Sequence, residues 1–252
     1  MKRYHITSMK VLAFILCLLQ SKITHGQDFT YLNKFYFPIK DTNKFQPKFY
    51  QQSLERKDSL IVGIYTMDHK LAVKKVVYYD KDKKEISRNE FHYDSLVRLE
   101  TYIEIDRTMN YENRVEFYPE GRVKSKRLSR DGQAVKIECY DELGNFKFCP
   151  IEATPVPYKG AHGWKKYLMS SLRFPENARR NARSGTVHIY FEVDRDGNIA
   201  NPEIMNPEEV YPSLAKEALR VVKSYPYKWL PGEKDGEAVS TFLSLPVSFN
   251  AP

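Results

Sequence analysis

The stretch Gly185-Thr186-Val187-His188-Ile189-Tyr190-Phe191-Glu192-Val193-Asp194-Arg195-Asp196-Gly197 decides how the last part of the chain folds. Val187, Ile189, Phe191 and Val193 recur at period two, with His188, Tyr190 and Glu192 between them. That is the pattern of a strand with one buried and one solvated face. Asp194 to Gly197 then forms the turn, because Asp-Gly supplies the left-handed backbone that a tight hairpin needs. The return strand, Ile199 to Met205, loses its parity at Asn201-Pro202, and a bulge is expected there. Downstream, Pro212 introduces an amphipathic helix carrying Leu214, Ala218, Val221 and Val222. Val239, Thr241, Leu243, Leu245, Val247 and Phe249 then alternate with Ser240, Phe242, Ser244, Pro246 and Ser248 as a last strand. Upstream, Trp164, Tyr167, Leu168 and Ser171 share one helical face, and Pro175 opens a short helical turn that runs to Arg180. The expected order is α, β, β, α, β.

Four local motifs punctuate this order: Phe174-Pro175-Glu176-Asn177-Ala178, the small turn at Gly185, Asp196-Gly197, and Trp229-Leu230-Pro231-Gly232. Each alone is common; as an ordered set they resemble the C-terminal domain of TonB energy transducers over roughly the last hundred residues. The resemblance implies an α+β fold with a three-stranded antiparallel sheet. It also implies a noncatalytic role in envelope transport, with a TonB-dependent outer-membrane receptor or another envelope protein as partner. In that family the last strand is understood to pair with a short N-terminal box of the receptor, and the stretch before the aromatic-Pro also touches it. Carried over, the partner-binding residues are Ser240, Thr241, Phe242, Leu243, Ser244 and Leu245, together with Ser171, Leu172 and Arg173. Pro246, which has no N–H to donate, places this strand at a sheet edge or a bulge. An open edge can take up an extended peptide by strand addition.

The preceding part reads differently. From about Leu60 to Phe148 short β-rich runs alternate with turns, and an aromatic-plus-turn signature recurs at Tyr79-Asp80, Tyr93-Asp94, Tyr118-Pro119-Glu120-Gly121 and Tyr140-Asp141-Glu142-Leu143-Gly144. Strands are expected over 73–79, 98–105, 114–118, 122–128 and 134–140. This loosely resembles the hairpin repeats of bacterial envelope proteins, which build an extended antiparallel sheet. Residues 28–59 are rich in Phe, Tyr and Lys without a sustained period, and read only as an edge element against that sheet. Pro150, Pro155, Pro157, Gly160 and Gly163 mark a linker. The expected division is a signal peptide over 1–26, a hairpin-repeat unit over 27–149, a linker over 150–163 and the TonB-like unit over 164–252.

The N-terminus reads as a secretory signal: Lys2, Arg3 and Lys10 precede the apolar run Val11 to Leu19, and a polar stretch ends at Gly26. The run is about half of the ~20 residues that span a bilayer. A true energy transducer with an uncleaved anchor is one alternative, and only with it would inner-membrane motor proteins be partners; a structural scaffold in the envelope, built on the hairpin-repeat sheet, is the other. The chain departs from TonB transducers in showing neither a clear retained helix nor a long Pro-rich spacer. Lys2, Arg3, Lys10 and Lys22 are the only charges before Gln27, so cleavage there takes the formal net charge from +8 to +4 against 32 acidic residues. An excess that small gives no electrostatic footprint for nucleic acid. Cys139 and Cys149 fit an oxidising compartment. In a hairpin that pairs Tyr140 with Phe146, however, Cys149 lies diagonal to Cys139, about 7 Å away between β-carbons, and a bridge would need a bulge or register shift.

No catalytic constellation is present. His69, His92, His162 and His188 lack metal-ligand spacing. Ser170-Ser171 has no nucleophile-elbow glycines, and no Gly-rich phosphate loop occurs. Neither a metal nor a cofactor is expected, and the functional feature is the strand edge.

Overall fold

The computed structural model describes residues 29–150 and 152–251. The proposed signal lies outside them. The chain first builds an 11-stranded antiparallel sheet in the order β11-β10-β9-β8-β7-β6-β5-β4-β3-β1-β2. Its strands are β1 (Thr30–Leu32), β2 (Pro38–Ile39), β3 (Phe49–Glu55), β4 (Ser59–Thr66), β5 (Leu71–Tyr79), β6 (Glu85–Tyr93), β7 (Leu99–Asp106), β8 (Tyr111–Phe117), β9 (Val123–Arg130), β10 (Gln133–Tyr140) and β11 (Phe146–Lys147). From β3 onward each strand pairs with its successor, so the sheet is a meander, as the hairpin signals predict.

The aromatic-plus-Asp signature has a physical basis. At residues 80–84, 94–98, 141–145 and 194–198 the first residue's N–H donates to the fifth carbonyl, and the fourth N–H donates back to the first. The Asp at the first place uses Oδ1 to accept the third and fifth N–H groups, as Asp94 does from Leu96 and Arg98, both at 2.9 Å. Arg98, through its main-chain N–H and then its guanidinium, holds the Asp94 carboxyl below its ordinary range. The fourth residue must then take positive φ: Gly144 has 88° and Gly197 81°, but Val97 is forced to 62°.

The β1–β5 end of this sheet has an apolar cluster, made by Leu32, Val62, Ile64 and Val73 with Phe49, Leu60 and Ala72 at its rim. Further along, buried Ile103 stands between Glu90 and Arg114 on the neighbouring strands. The stems of long polar side chains supply cover there. Glu90, itself buried, is matched by Arg88 at 2.8 Å, Lys75 at 4.0 Å and His92 at 3.2 Å.

The cysteines are bridged, with Cα atoms 5.1 Å apart. The register is the expected one, with Cys139 opposite Lys147 and Tyr140 opposite Phe146. No register shift was needed, because β11 ends at Lys147 and Cys149 no longer follows the diagonal of a continuing strand.

The second part contains β12 (Glu152–Ala153), α1 (Gly160–Ser171), α2 (Glu176–Arg180), β13 (Gly185–Val193), β14 (Ile199–Ile204), α3 (Pro212–Lys223), β15 (Gly232–Lys234), β16 (Glu237–Val239) and β17 (Thr241–Phe249). Two three-stranded sheets form, β14-β13-β17 and β12-β15-β16. The expected bulge is present: Tyr190 pairs with Glu203 and Glu192 with Ala200, so Asn201 and Pro202 together oppose Phe191. α1 and α3 cover the inner face, where Val187, Ile189, Phe191 and Val193 pack with Trp164, Leu214, Ala218, Val222, Trp229, Val247 and Phe249. The stretch read as a linker carries ordered structure instead. Glu152 and Ala153 pair with β15, Val156 bridges Leu230, and α1 starts at Gly160 rather than Trp164.

Residues 33–41 do more than edge the large sheet. They also lie on the outer face of β13 and β14, with Phe35 against Tyr190 at 5.1 Å and Phe37 against His188 at 5.6 Å. Asn33 Nδ2 donates to the Met205 carbonyl at 2.7 Å, and Glu208 accepts the main-chain N–H groups of Lys40 and Asp41.

Val97 is a β-branched residue at positive φ with an exposed side chain, so it bears strain without compensating burial. Val97→Gly is expected to stabilise the chain by about 1 kcal/mol. A thermal melt checks this; an unchanged or lower Tm would mean the turn relaxes around valine.

Candidate binding edge

β17 is held by β13 along its whole length, from Val193 opposite Thr241 to Gly185 opposite Phe249. Its inner side chains are Leu243, Leu245, Val247 and Phe249, and its exposed ones are Phe242, Ser244, Pro246 and Ser248. The direction of its main-chain groups follows from His188. The His188 carbonyl accepts the Met205 N–H at 2.9 Å, and its N–H donates to Asn206 Oδ1 at 3.0 Å. Both groups therefore face the β14 side. His188 is the partner of Pro246, so that pair exchanges no hydrogen bonds and the nitrogen of Pro246 points away from β13. By alternation the N–H groups of Phe242, Ser244 and Ser248 also point outward, along a side where no strand is paired among the described residues. Proline costs no ladder bond in that place.

Asn206 makes this arrangement possible. β14 ends at Ile204, opposite Ile189, beyond which the first residues of β13 would lack a neighbour. The buried Asn206 amide substitutes for one, accepting from His188 and donating Nδ2 to the Thr186 carbonyl at 2.9 Å. Sequence reasoning missed this residue, because one Asn after a strand carries no periodic signal.

The two groups of residues expected to bind a partner lie apart. Ser240 to Leu245 form the entry half of β17, with Ser240 exposed just before the strand. Ser171 closes α1, Leu172 and Arg173 follow it, and the group is tied to α3: the Arg173 N–H donates to Glu217 Oε1 at 2.8 Å, and Arg220 Nη2 donates to the Ser171 carbonyl at 2.8 Å. Arg220, and next the Arg173 N–H, hold the Glu217 carboxyl below its ordinary range. Phe174 then meets Phe249, the final residue of β17, at 5.9 Å. Four residues of strand, about 14 Å, separate that contact from Leu245. An added strand must run the length of β17 to touch both groups.

The sequence motifs meet one another in space. Gly197 at the hairpin turn accepts the Trp229 N–H through its carbonyl at 2.8 Å. A β-carbon at Gly197 would stand 2.0 Å from the Trp229 carbonyl oxygen. The Asp-Gly and aromatic-x-Pro-Gly elements thus form one contact, with Trp229 packed on Phe191 and Trp164. Ala178 of the aromatic-Pro motif is fully buried, Pro175 caps α2, Gly185 starts β13, and Gly232 approaches Thr241 at the start of β17. Pro231 leads directly into β15.

Residues 170–251 match the family model described as Gram-negative bacterial TonB protein C-terminal. The chain ends in a TonB C-terminal domain. No curated protein matches the chain. A TonB C-terminal domain marks an envelope-associated, TonB-like protein connected with transport. Among the described residues, no helix is long and apolar enough to cross a membrane, and no three His, Cys, Asp or Glu side chains are grouped to hold a metal ion.

Gly197→Ala should lower the Tm much more than Gly144→Ala. Both glycines have positive φ, but only Gly197 has a carbonyl oxygen in the way. Left-handed strain alone costs about 1–2 kcal/mol. Equal losses would show that the Trp229 contact yields freely.

Proposed function

We propose that this chain is a noncatalytic envelope protein whose TonB C-terminal domain captures an extended strand of a TonB-dependent outer-membrane receptor, or of another envelope protein, along β17 and so assists transport. One observation carries the reading: the outward N–H groups of Phe242 and Ser244 lie on an edge that is unpaired among the described residues, in a domain that matches the TonB family. Main-chain donors on an open edge bind peptides of varied sequence. The hairpin sheet, residues 27–149, and the TonB-like unit, residues 164–252, are proposed as two units joined by the residues 33–41 contact and the 152–156 pairing.

We also propose that the chain is exported and cleaved before Gln27, leaving the mature protein in the periplasm. The disulfide suits that oxidising compartment. N-terminal sequencing of protein from the periplasmic fraction should begin near Gln27. An intact Met1 species in the inner membrane would instead make it an anchored transducer.

The capture reading is tested with Ser244→Pro, which removes one outward donor, and with Phe242→Pro, which removes another. Both variants should keep the circular dichroism of the parent, since neither N–H serves β13, and both should lose most binding to receptors pulled from envelope extract. Ser244→Ala should bind as the parent does. Folded proline variants that bind undiminished would exclude β17 as the site.

A further inference from the structure

Phe242 is more than half exposed although it lies on a strand. Its ring stacks on Tyr190 at 5.5 Å, with the planes only 3° apart. Tyr190 in turn meets Phe35 at 5.1 Å. A row of three rings thus starts on the N-terminal segment, crosses β13 and stops at the open edge. The neighbouring outward positions of β17 are small or rigid, Ser244, Pro246 and Ser248. An added strand, running in either direction, would place one side chain on the outer face beside Phe242, within reach of its ring.

Resting on the strand-capture reading, we propose that Phe242 is the specificity-determining residue of this edge and that the captured segment carries an aromatic side chain beside it, extending the row to a fourth ring. The other outer positions of the segment, lying beside Ser244, Pro246 and Ser248, offer little apolar surface and select weakly. On the inner face, half-buried Leu243 and Leu245 favour apolar residues at the alternate places. Main-chain bonds provide the affinity, while the ring beside Phe242 sets the register and distinguishes partners.

The test selects a displayed library of random decapeptides on the full chain, in parallel with Phe242→Ser, Phe242→Tyr and Ser244→Pro. Peptides enriched on the parent should share one aromatic position within an alternating apolar pattern, and replacing that aromatic by Ser should weaken binding about three- to tenfold. The preference should vanish on Phe242→Ser and persist on Phe242→Tyr. If peptides bind and are lost on Ser244→Pro, but show no aromatic position or show the same one on Phe242→Ser, the specificity role is overturned while the capture reading stands. If nothing is enriched on the parent, the capture reading fails and this inference fails with it.

Discussion

The arrangement of the C-terminal domain depends on which way the main chain of His188 faces. Its N–H and carbonyl are both taken up on the β14 side, by Asn206 and Met205. This one assignment fixes the alternation along the β13–β17 pair. It directs the odd-numbered residues of β17 to the ladder, leaves Phe242, Ser244 and Ser248 with outward donors, and puts the donor-less Pro246 where it interrupts nothing. Had the parity been reversed, Pro246 would have cost a bond inside the sheet.

The same sheet shows why its two edges differ in use. The β14 side is occupied: residues 33–41 lie over it, Asn33 reaches Met205, and Glu208 gathers two main-chain N–H groups from the N-terminal segment. The β17 side has no such cover among the described residues. The hairpin sheet and the TonB C-terminal domain therefore meet over the outer face of β13 and the β14 side, on the same face as Phe242 but away from the outer edge of β17. The disulfide then fastens the last hairpin of the large sheet just before the chain enters the second part.

The legible features were those written in local periodicity and turn chemistry. Period two in 187–193 and 239–249 identified both strands and their inner faces, although Val239 ends β16, paired with Gly232, and β17 starts only at Thr241; Asn201-Pro202 marked the bulge, and aromatic-Asp pairs marked the hairpin turns. Features fixed by distant partners were illegible. Asn33 meets a residue 172 positions away, and the Phe and Tyr residues around it have no period to announce a clamp. The pairing of Glu152 and Ala153 with β15 hid beneath proline and glycine punctuation. The disulfide was misjudged geometrically, because its diagonal assumed a strand that stops two residues earlier. That Ser171 and Arg173 are anchored to Glu217 and Arg220 on α3 was equally illegible, because these partners lie 44 and 49 positions away.

Amide hydrogen exchange, resolved residue by residue along β17, tests the central claim most directly. In the free chain Leu243, Leu245 and Val247 should be protected, while Phe242 and Ser244 exchange as exposed amides; a bound receptor segment should slow those two specifically. Protection of Phe242 and Ser244 in the free chain would contradict the account, because the edge would already be filled.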